Sequence, residues 1–563
     1  MGSYGGRLVS LTASVCAGGP RSRPPRERRV VVGSQSVPRV SIAPGTLTSF
    51  GAAELAGLIR RGEVSAREVV DAHIERIEAV DPRLNAVVFP LFERARVDAE
   101  AADAAQRRGQ ELGPLHGVPM TIKDQHLVDG TPTTLGLPSR AAHRAQADGP
   151  CVARLRRAGA IFLGKTNVGQ LLISNECENP LYGRTVSPWD IERSPGGSSG
   201  GEAAIVAAGG SPLGLGADFG GSIRIPAHFS GVCGFMPTAR RLTGRDTPQE
   251  YFAFQEAIVP QAGPLARHVA DLALAMSVLA APEDGDPTIA PVPWREPTSG
   301  VEGLRVGWYD DNGFIRASPA VRRAVHDAAA ALATRGAIVE EWTPPDVAEA
   351  ERTFMLLAVP DRFATMRRLT RNEPVDVRLK ALLQLGALPA AAARLLGAVM
   401  ARRGEKHVAW IMSEVFATPG SAKMYLRALE DRARYRDTFL ASMAAQRLDA
   451  LLCPPYALPA LRHESEVGVG FWPASYAQMY NALGMPAGVV PVTRVRAGEE
   501  SDRVPGRDRV ERAASEVERN SAGLPIGVQV VARLWREDVA LTVMAALEAE
   551  LAGHDDVPRT PTP

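Results

Sequence analysis

The chain has 563 residues, 45% hydrophobic and 23% charged, with a formal net charge of +1. That length and apolar content suffice for a large buried core, and the balanced charge excludes a global electrostatic pull toward nucleic acid. Five cysteines (Cys16, Cys151, Cys177, Cys233, Cys453) carry no Cys-x-x-Cys pair or metal-ligand spacing, so reduced thiols, no metal, no cofactor and a cytoplasmic protein are expected.

Residues 1–46 are dominated by Gly, Ser, Pro and a basic cluster at Arg21, Arg23, Arg26, Arg28 and Arg29, and read as a disordered tail. An ordered domain is expected over residues 47–552. Ala52 to Arg61 reads as a helix closed by Gly62. Ser65-Ala-Arg-Glu68 is a capping box that opens a second helix with Val69, Val70, Ile74 and Ile77 on one face. Val152 to Ala158 is an amphipathic helix stopped by Gly159, and Ala160 to Leu163 follows as a buried strand. Further strands are expected at Ala204 to Ala208 unless that stretch is helical, at Leu304 to Tyr309, at Ala450 to Cys453, and finally over 523–531. Their alternation with helices predicts an α/β fold with a mixed central β-sheet covered by α-helices on both faces.

Two surface features stand out along this frame. Residues 379–403 form an apolar helical segment whose centre, Ala381 to Ala393, lacks charge and is interrupted by Pro389. It is too short to span a membrane and reads as two helices meeting at a bend. Arg378, Lys380, Arg402 and Arg403 suit anionic headgroups but no Trp or Phe anchors accompany them, so peripheral membrane contact, a buried helix pair and a homodimer contact stay open. Arg496 to Arg519 reads as an exposed charged insertion, and residues 553–563 as a C-terminal tail.

The chemistry is concentrated between 117 and 227. Lys123 lies in Gly117-Val-Pro-Met-Thr-Ile-Lys-Asp124. Downstream come Gly196-Gly-Ser-Ser-Gly-Gly201 and Asp218-Phe-Gly-Gly-Ser-Ile-Arg224. A serine hydroxyl is a poor nucleophile until a base takes its proton, and a lysine held neutral by burial does this through a second, bridging serine. Neutrality near pH 7 needs a downward shift of about 2 to 3 units from ~10.4, which burial supplies. Without side chains at Gly220 and Gly221, the backbone approaches a substrate carbonyl closely. The amides of Phe219, Gly220, Gly221 and Ser222 are then expected at the developing oxyanion. Asp218 and Arg224 read as a buried pair that fixes this loop, with Ser199 in the same network. Each motif alone is an ordinary loop, turn or solvated lysine; their joint order is what carries the reading.

Two shorter patterns point elsewhere. Gly159-Ala-Ile-Phe-Leu-Gly-Lys-Thr166 matches a phosphate-binding loop letter for letter, which keeps a nucleotide-binding protein as the non-enzyme alternative. Its inner residues nonetheless read as a strand rather than a loop. Gly196 to Gly200 fits the nucleophile elbow of α/β-hydrolases, yet a polar, proline-bounded stretch precedes it, and His228, His268 and His463 have no triad context.

Taken together, Lys123 and its block, Gly164-Lys-Thr-Asn167, Ser194 to Ala204 and Pro212 to Ala227 resemble the amidase signature family. Asn179-Pro-Leu-Tyr-Gly183 and Tyr480 to Thr493 are similar to the fatty acid amide hydrolases within it. Ala217 and Met236 depart from residues frequent in the family. The resemblance implies Ser222 as nucleophile, Ser198 as a bridging serine after a cis peptide bond, and Lys123 as base. It also places Leu172 and Ile173 in the acyl pocket. The implied activity is hydrolysis of fatty acid amides, N-acyl amines or aryl amides to acid and amine through an acyl-enzyme. A short-chain amidase and a glutamine-type amidotransferase subunit are the alternatives.

Overall fold

The computed structural model describes residues 43–248, 256–280, 286–504 and 506–561. The expected tail, together with Cys16, therefore lies outside the described residues up to position 42. The Ser65 capping box forms as written: the Ser65 hydroxyl accepts from the Glu68 amide and the Glu68 carboxylate accepts from the Ser65 amide. The helix it opens, Ala66–Leu84, buries Val69, Val70, Ile74 and Ile77.

The strands are β1 (Val87–Pro90), β2 (Pro119–Lys123), β3 (Ile161–Thr166), the short pair β4 (Glu178–Asn179) and β5 (Gly183–Arg184), β6 (Leu213–Asp218), β7 (Cys233–Met236), β8 (Gln261–Ala266), β9 (Arg305–Trp308), β10 (Ile338–Glu341), β11 (Ala450–Cys453), β12 (Ala487–Arg494) and β13 (Pro525–Ala532). Eleven of them form one sheet in the order β1-β3-β2-β6-β8-β7-β12-β13-β11-β9-β10. Parallel pairing of β2 with β3 and β6 gives way to antiparallel pairing through β8, β7, β12 and β13, then returns to parallel at β11, β9 and β10. The fold is therefore the mixed α/β sheet expected, flanked by helices. β2, β6 and β13 are buried along their whole length, as strands covered on both faces must be.

Ala204 to Ala208, left open between strand and helix, is helical: Gly200–Ala207 is a helix with every residue buried, so no exposed face was left to mark a helical period. The charged stretch is not merely an exposed insertion. Its helix Arg509–Glu518 buries Val510, Ala514 and Val517, and Arg503 pairs with the buried Glu518 at 2.9 Å. At the C-terminal end, Pro558, within the expected tail, packs against Gly231.

The phosphate-loop pattern is dismantled by the same sheet. Gly164, Lys165 and Thr166 lie inside β3, not in a loop. The buried Lys165 Nζ donates to the Pro132 carbonyl and, at 3.0 Å, to Thr133 Oγ1. Thr166 donates to Glu202 at 2.7 Å. With its lysine and threonine spent in the core, the run has no group to offer a phosphate.

The apolar segment is two helices, Val377–Ala387 and Ala390–Arg402, bent by 110° across Pro389. Among the described residues no single helix is long and apolar enough to cross a membrane. Arg378 is unavailable to headgroups: it is buried and bonded to Glu176 at 2.7 Å and Glu178 at 2.9 Å.

Candidate active site

Two neighbouring parallel strands deliver the central groups. Lys123 is the last residue of β2 and Asp218 the last of β6, so both side chains leave the sheet at the same edge. Ser198 precedes the buried helix Gly200–Ala207, on a loop where Gly197 passes so close to the Ser174 carbonyl that a Cβ would sit 2.2 Å from it. Only glycine fits there. The Gly197–Ser198 peptide bond is cis.

Lys123 is fully buried, and its Nζ donates to Ser198 Oγ at 2.9 Å and to the Ala217 carbonyl at 3.2 Å. Burial pushes this ammonium down to about 7, against the opposing pull of Asp218, Cys177, Glu202 and Asp124. Below it, Glu202 accepts from Thr121 at 2.6 Å and from Thr166 at 2.7 Å. Burial raises that carboxyl to about 8 despite these bonds. Glu202 stands in the Ser194 to Ala204 block, but its place beneath Lys123 follows from strand packing that the sequence did not reveal. His126, also unforeseen, lies on the same cavity with Nε2 3.1 Å from the Gly216 carbonyl, and burial drives it down to about 3, hence neutral.

The Ser222 loop hangs on one ion pair. Arg224 donates to Asp218 through Nε at 3.0 Å and Nη2 at 2.9 Å, with both side chains fully buried. The guanidinium is completed by Asn481 Oδ1 at 2.6 Å, Gln529 Oε1 at 2.7 Å and the Ala477 carbonyl at 2.9 Å. Burial alone would raise the Asp218 carboxyl, yet Arg224, Asn481 and the Ile223 amide bring it down to about 2. A buried pair satisfied on every side is the form in which such pairs persist. Ser199 contributes by donating its amide to the Ser222 carbonyl at 3.2 Å and its hydroxyl to the Ala217 carbonyl at 3.3 Å.

The loop corrects the four-amide expectation. Gly221, at φ +108°, turns its amide back to Asp218 Oδ1 at 2.8 Å and does not line the cavity. Phe219, Gly220 and Ser222 do line it. That leaves the amides of Phe219, Gly220 and Ser222 as the candidate donors to a substrate oxygen.

Lys123, Ser198 and Ser222 open on one cavity of about 370 Å³. Leu172 and Ile173 line it, joined by Phe354, Met355, Phe363 and Met366 from distant helical segments. Thiol chemistry is disfavoured, because burial pushes Cys177 up to about 11 and raises Cys233 well above the usual thiol range. His228 is spent on the Leu458 carbonyl and the Gly527 amide; neither it nor His268 nor His463 lines the cavity.

Comparison with known proteins agrees with this geometry. The family model Amidase matches residues 68–541. Fatty-acid amide hydrolase 1 of Sus scrofa is 35% identical over 511 residues, covering 89% of this chain and 85% of that protein. An acylamidase of Rhodococcus erythropolis is 34% identical over 532 residues, covering 90% and 97%. Among solved structures, a fatty acid amide hydrolase superposes with a TM-score of 0.79 at 27% identity, covering 92% of this chain and 86% of that one. With a buried lysine–serine contact at the edge of a mixed sheet and a family match over most of its length, the chain belongs to the Amidase family, the amidase signature enzymes, and is a hydrolase of carboxylic amide C–N bonds.

Proposed function

We propose that the enzyme cleaves its amide through an acyl-enzyme on Ser222, with Ser198 as the bridging acid-base group and Lys123 as the base. Lys123 takes a proton from Ser198, which takes one from Ser222 as its oxygen attacks the carbonyl carbon. The amides of Phe219, Gly220 and Ser222 hold the oxyanion, and Ser198 returns the proton to the departing amine. Water repeats the sequence on the acyl-enzyme and releases the acid. The observation that supports this most is the fully buried Lys123 with its Nζ 2.9 Å from Ser198 Oγ, in an environment that favours neutral amine.

The wall supports an apolar acyl or aryl group as the substrate's larger part. Leu172, Ile173, Phe354, Met355, Phe363 and Met366 form an uncharged part of the wall, while Arg240, Arg245, Asp246 and Glu256 line the cavity elsewhere, and mostly apolar walls with a few convergent polar groups are the usual form of a small-molecule site. Relatives named as a fatty-acid amide hydrolase and an acylamidase point the same way. The bent pair, with Val377 half exposed, Leu395 68% exposed, and Lys380, Arg402 and Arg403 also exposed along the same segment, is the surface on which a lipid substrate's membrane would be met.

Amine or ammonia release from amides running from propionamide to oleamide, with Ser222→Ala as control, tests the reading. A kcat/KM that rises with chain length and vanishes in the variant is expected. Activity confined to short amides would leave the chemistry and discard the lipid substrate; none at all would remove both.

A further inference from the structure

One buried carboxyl takes no part in the network around Asp218. Glu351, on the helix Val347–Ala358, is 2% exposed, and among the described residues it has no cationic partner. Its neighbour is Gln478, itself 5% exposed and lining the reaction cavity. With Nε2 turned toward Glu351, the Gln478 amide donates to the carboxyl oxygens at 2.7 and 3.1 Å. The opposite end of that amide faces only hydrogen-bond donors, the surroundings that suit Oε1. Burial raises the Glu351 carboxyl to about 8, and it presents an oxygen acceptor to Gln478 in either protonation state.

The position of this amide gives it a use. Gln478 lies on the helix Ser475–Leu483, which runs along the Ser222 loop: Ala477 touches Gly221, and Asn481 bonds to both Asp218 and Arg224. The cavity end of the Gln478 amide comes within 3.7 Å of where a Cβ on Gly220 would stand. An oxygen acceptor beside the proposed oxyanion amides would repel the carbonyl oxygen, so the group it reads must be a donor. In an amide substrate the donor next to the carbonyl carbon is the N–H.

We propose that Gln478, oriented by Glu351, is a specificity-determining residue that accepts a hydrogen bond from the N–H of the scissile amide and so favours amides over esters of the same acid. Gln478 touches the substrate, and Glu351 is a positioning residue. The inference rests on the amidase reading.

The test compares kcat and KM for one acyl group as its p-nitroanilide and as its p-nitrophenyl ester, in wild type, Gln478→Leu, Gln478→Met, Glu351→Leu and Glu351→Gln, each with its melting temperature. The two Gln478 variants are expected to lose about tenfold in kcat/KM on the anilide, one hydrogen bond's worth, and less than twofold on the ester. Glu351→Leu should follow them, while Glu351→Gln, which still offers a carbonyl to Gln478 Nε2, should keep the wild-type ratio. If Gln478→Leu does not fold, the near-isosteric Gln478→Met carries the comparison. An equal loss on anilide and ester, or a Glu351→Gln as poor as Glu351→Leu, would overturn the proposal. A wild type that cleaves neither compound is a different failure: it sinks the amidase reading itself and this inference with it.

Discussion

The two ends of the cavity are built by opposite means. At the reaction end, Lys123, Asp218 and Arg224 are fully buried, and Arg224 alone bonds to Asp218, Asn481, Gln529 and the Ala477 carbonyl. At the far end the wall is Leu172, Ile173, Phe363 and Met366, packed under the bent helix pair with Leu379, Leu383 and Ala393, and apolar side chains such as Leu395 reach solvent. Directional polar bonds fix one geometry, whereas apolar packing tolerates exchange of shape at roughly constant volume. On the proposed reading, chemistry is set by strand ends and their hydrogen bonds, and substrate choice by helices that are free to vary.

If that division is right, the largest effects fall at the reaction end. Ser222→Ala and Lys123→Ala are each expected to lower kcat by about 10⁴- to 10⁶-fold, with an unaltered circular-dichroism spectrum. Next comes Arg224→Met, which leaves the Asp218 carboxylate buried without its cation. A loss of about 3 to 5 kcal/mol in urea-unfolding stability is expected, and a variant as stable as wild type would show that the loop does not depend on the pair.

The pH profile sharpens the same contrast. With Lys123 as the proposed neutral base and its folded-state value lowered to about 7, kcat/KM should rise with pH, roughly tenfold per unit below about 7, and level off above it. A profile flat from pH 5 to 9 would remove Lys123 from the base role. At the wall, Ile173→Ala should reduce kcat/KM for long-chain amides by about tenfold, the value of the apolar surface lost, and leave propionamide within twofold. Smallest of all, Leu395→Ser should change stability by no more than about 0.5 kcal/mol and leave turnover of a soluble amide intact, while weakening co-sedimentation with anionic lipid vesicles.

The same division governs what the sequence made legible. Lys123, Ser198, Ser222, Asp218 and Arg224 were legible because the short blocks around them keep the order of a known family, and the roles of the lysine and the two serines came from that resemblance. The Ser65 cap was legible for a local reason, its Ser-x-x-Glu spacing. By contrast, Phe354, Met355 and Phe363 reach the cavity from more than 130 positions downstream of Ser222, and nothing in an ordinary apolar helix says which cavity it will face. The withdrawal of the Gly221 amide depends on the angle at which Asp218 Oδ1 meets it, a detail below the resolution of residue type. The helix Arg509–Glu518 was missed for a different reason: Val510, Ala514 and Val517 recur at helical spacing, but the charges between them dominated the composition.

The most direct test of the central claim is to quench the enzyme during turnover of a slowly deacylating aryl ester and map the acylated peptide by mass spectrometry. The account predicts the acyl group on Ser222, absent in Ser222→Ala and slow to form in Lys123→Ala. Acylation on Ser198, on Cys177, or on no residue during turnover would contradict it.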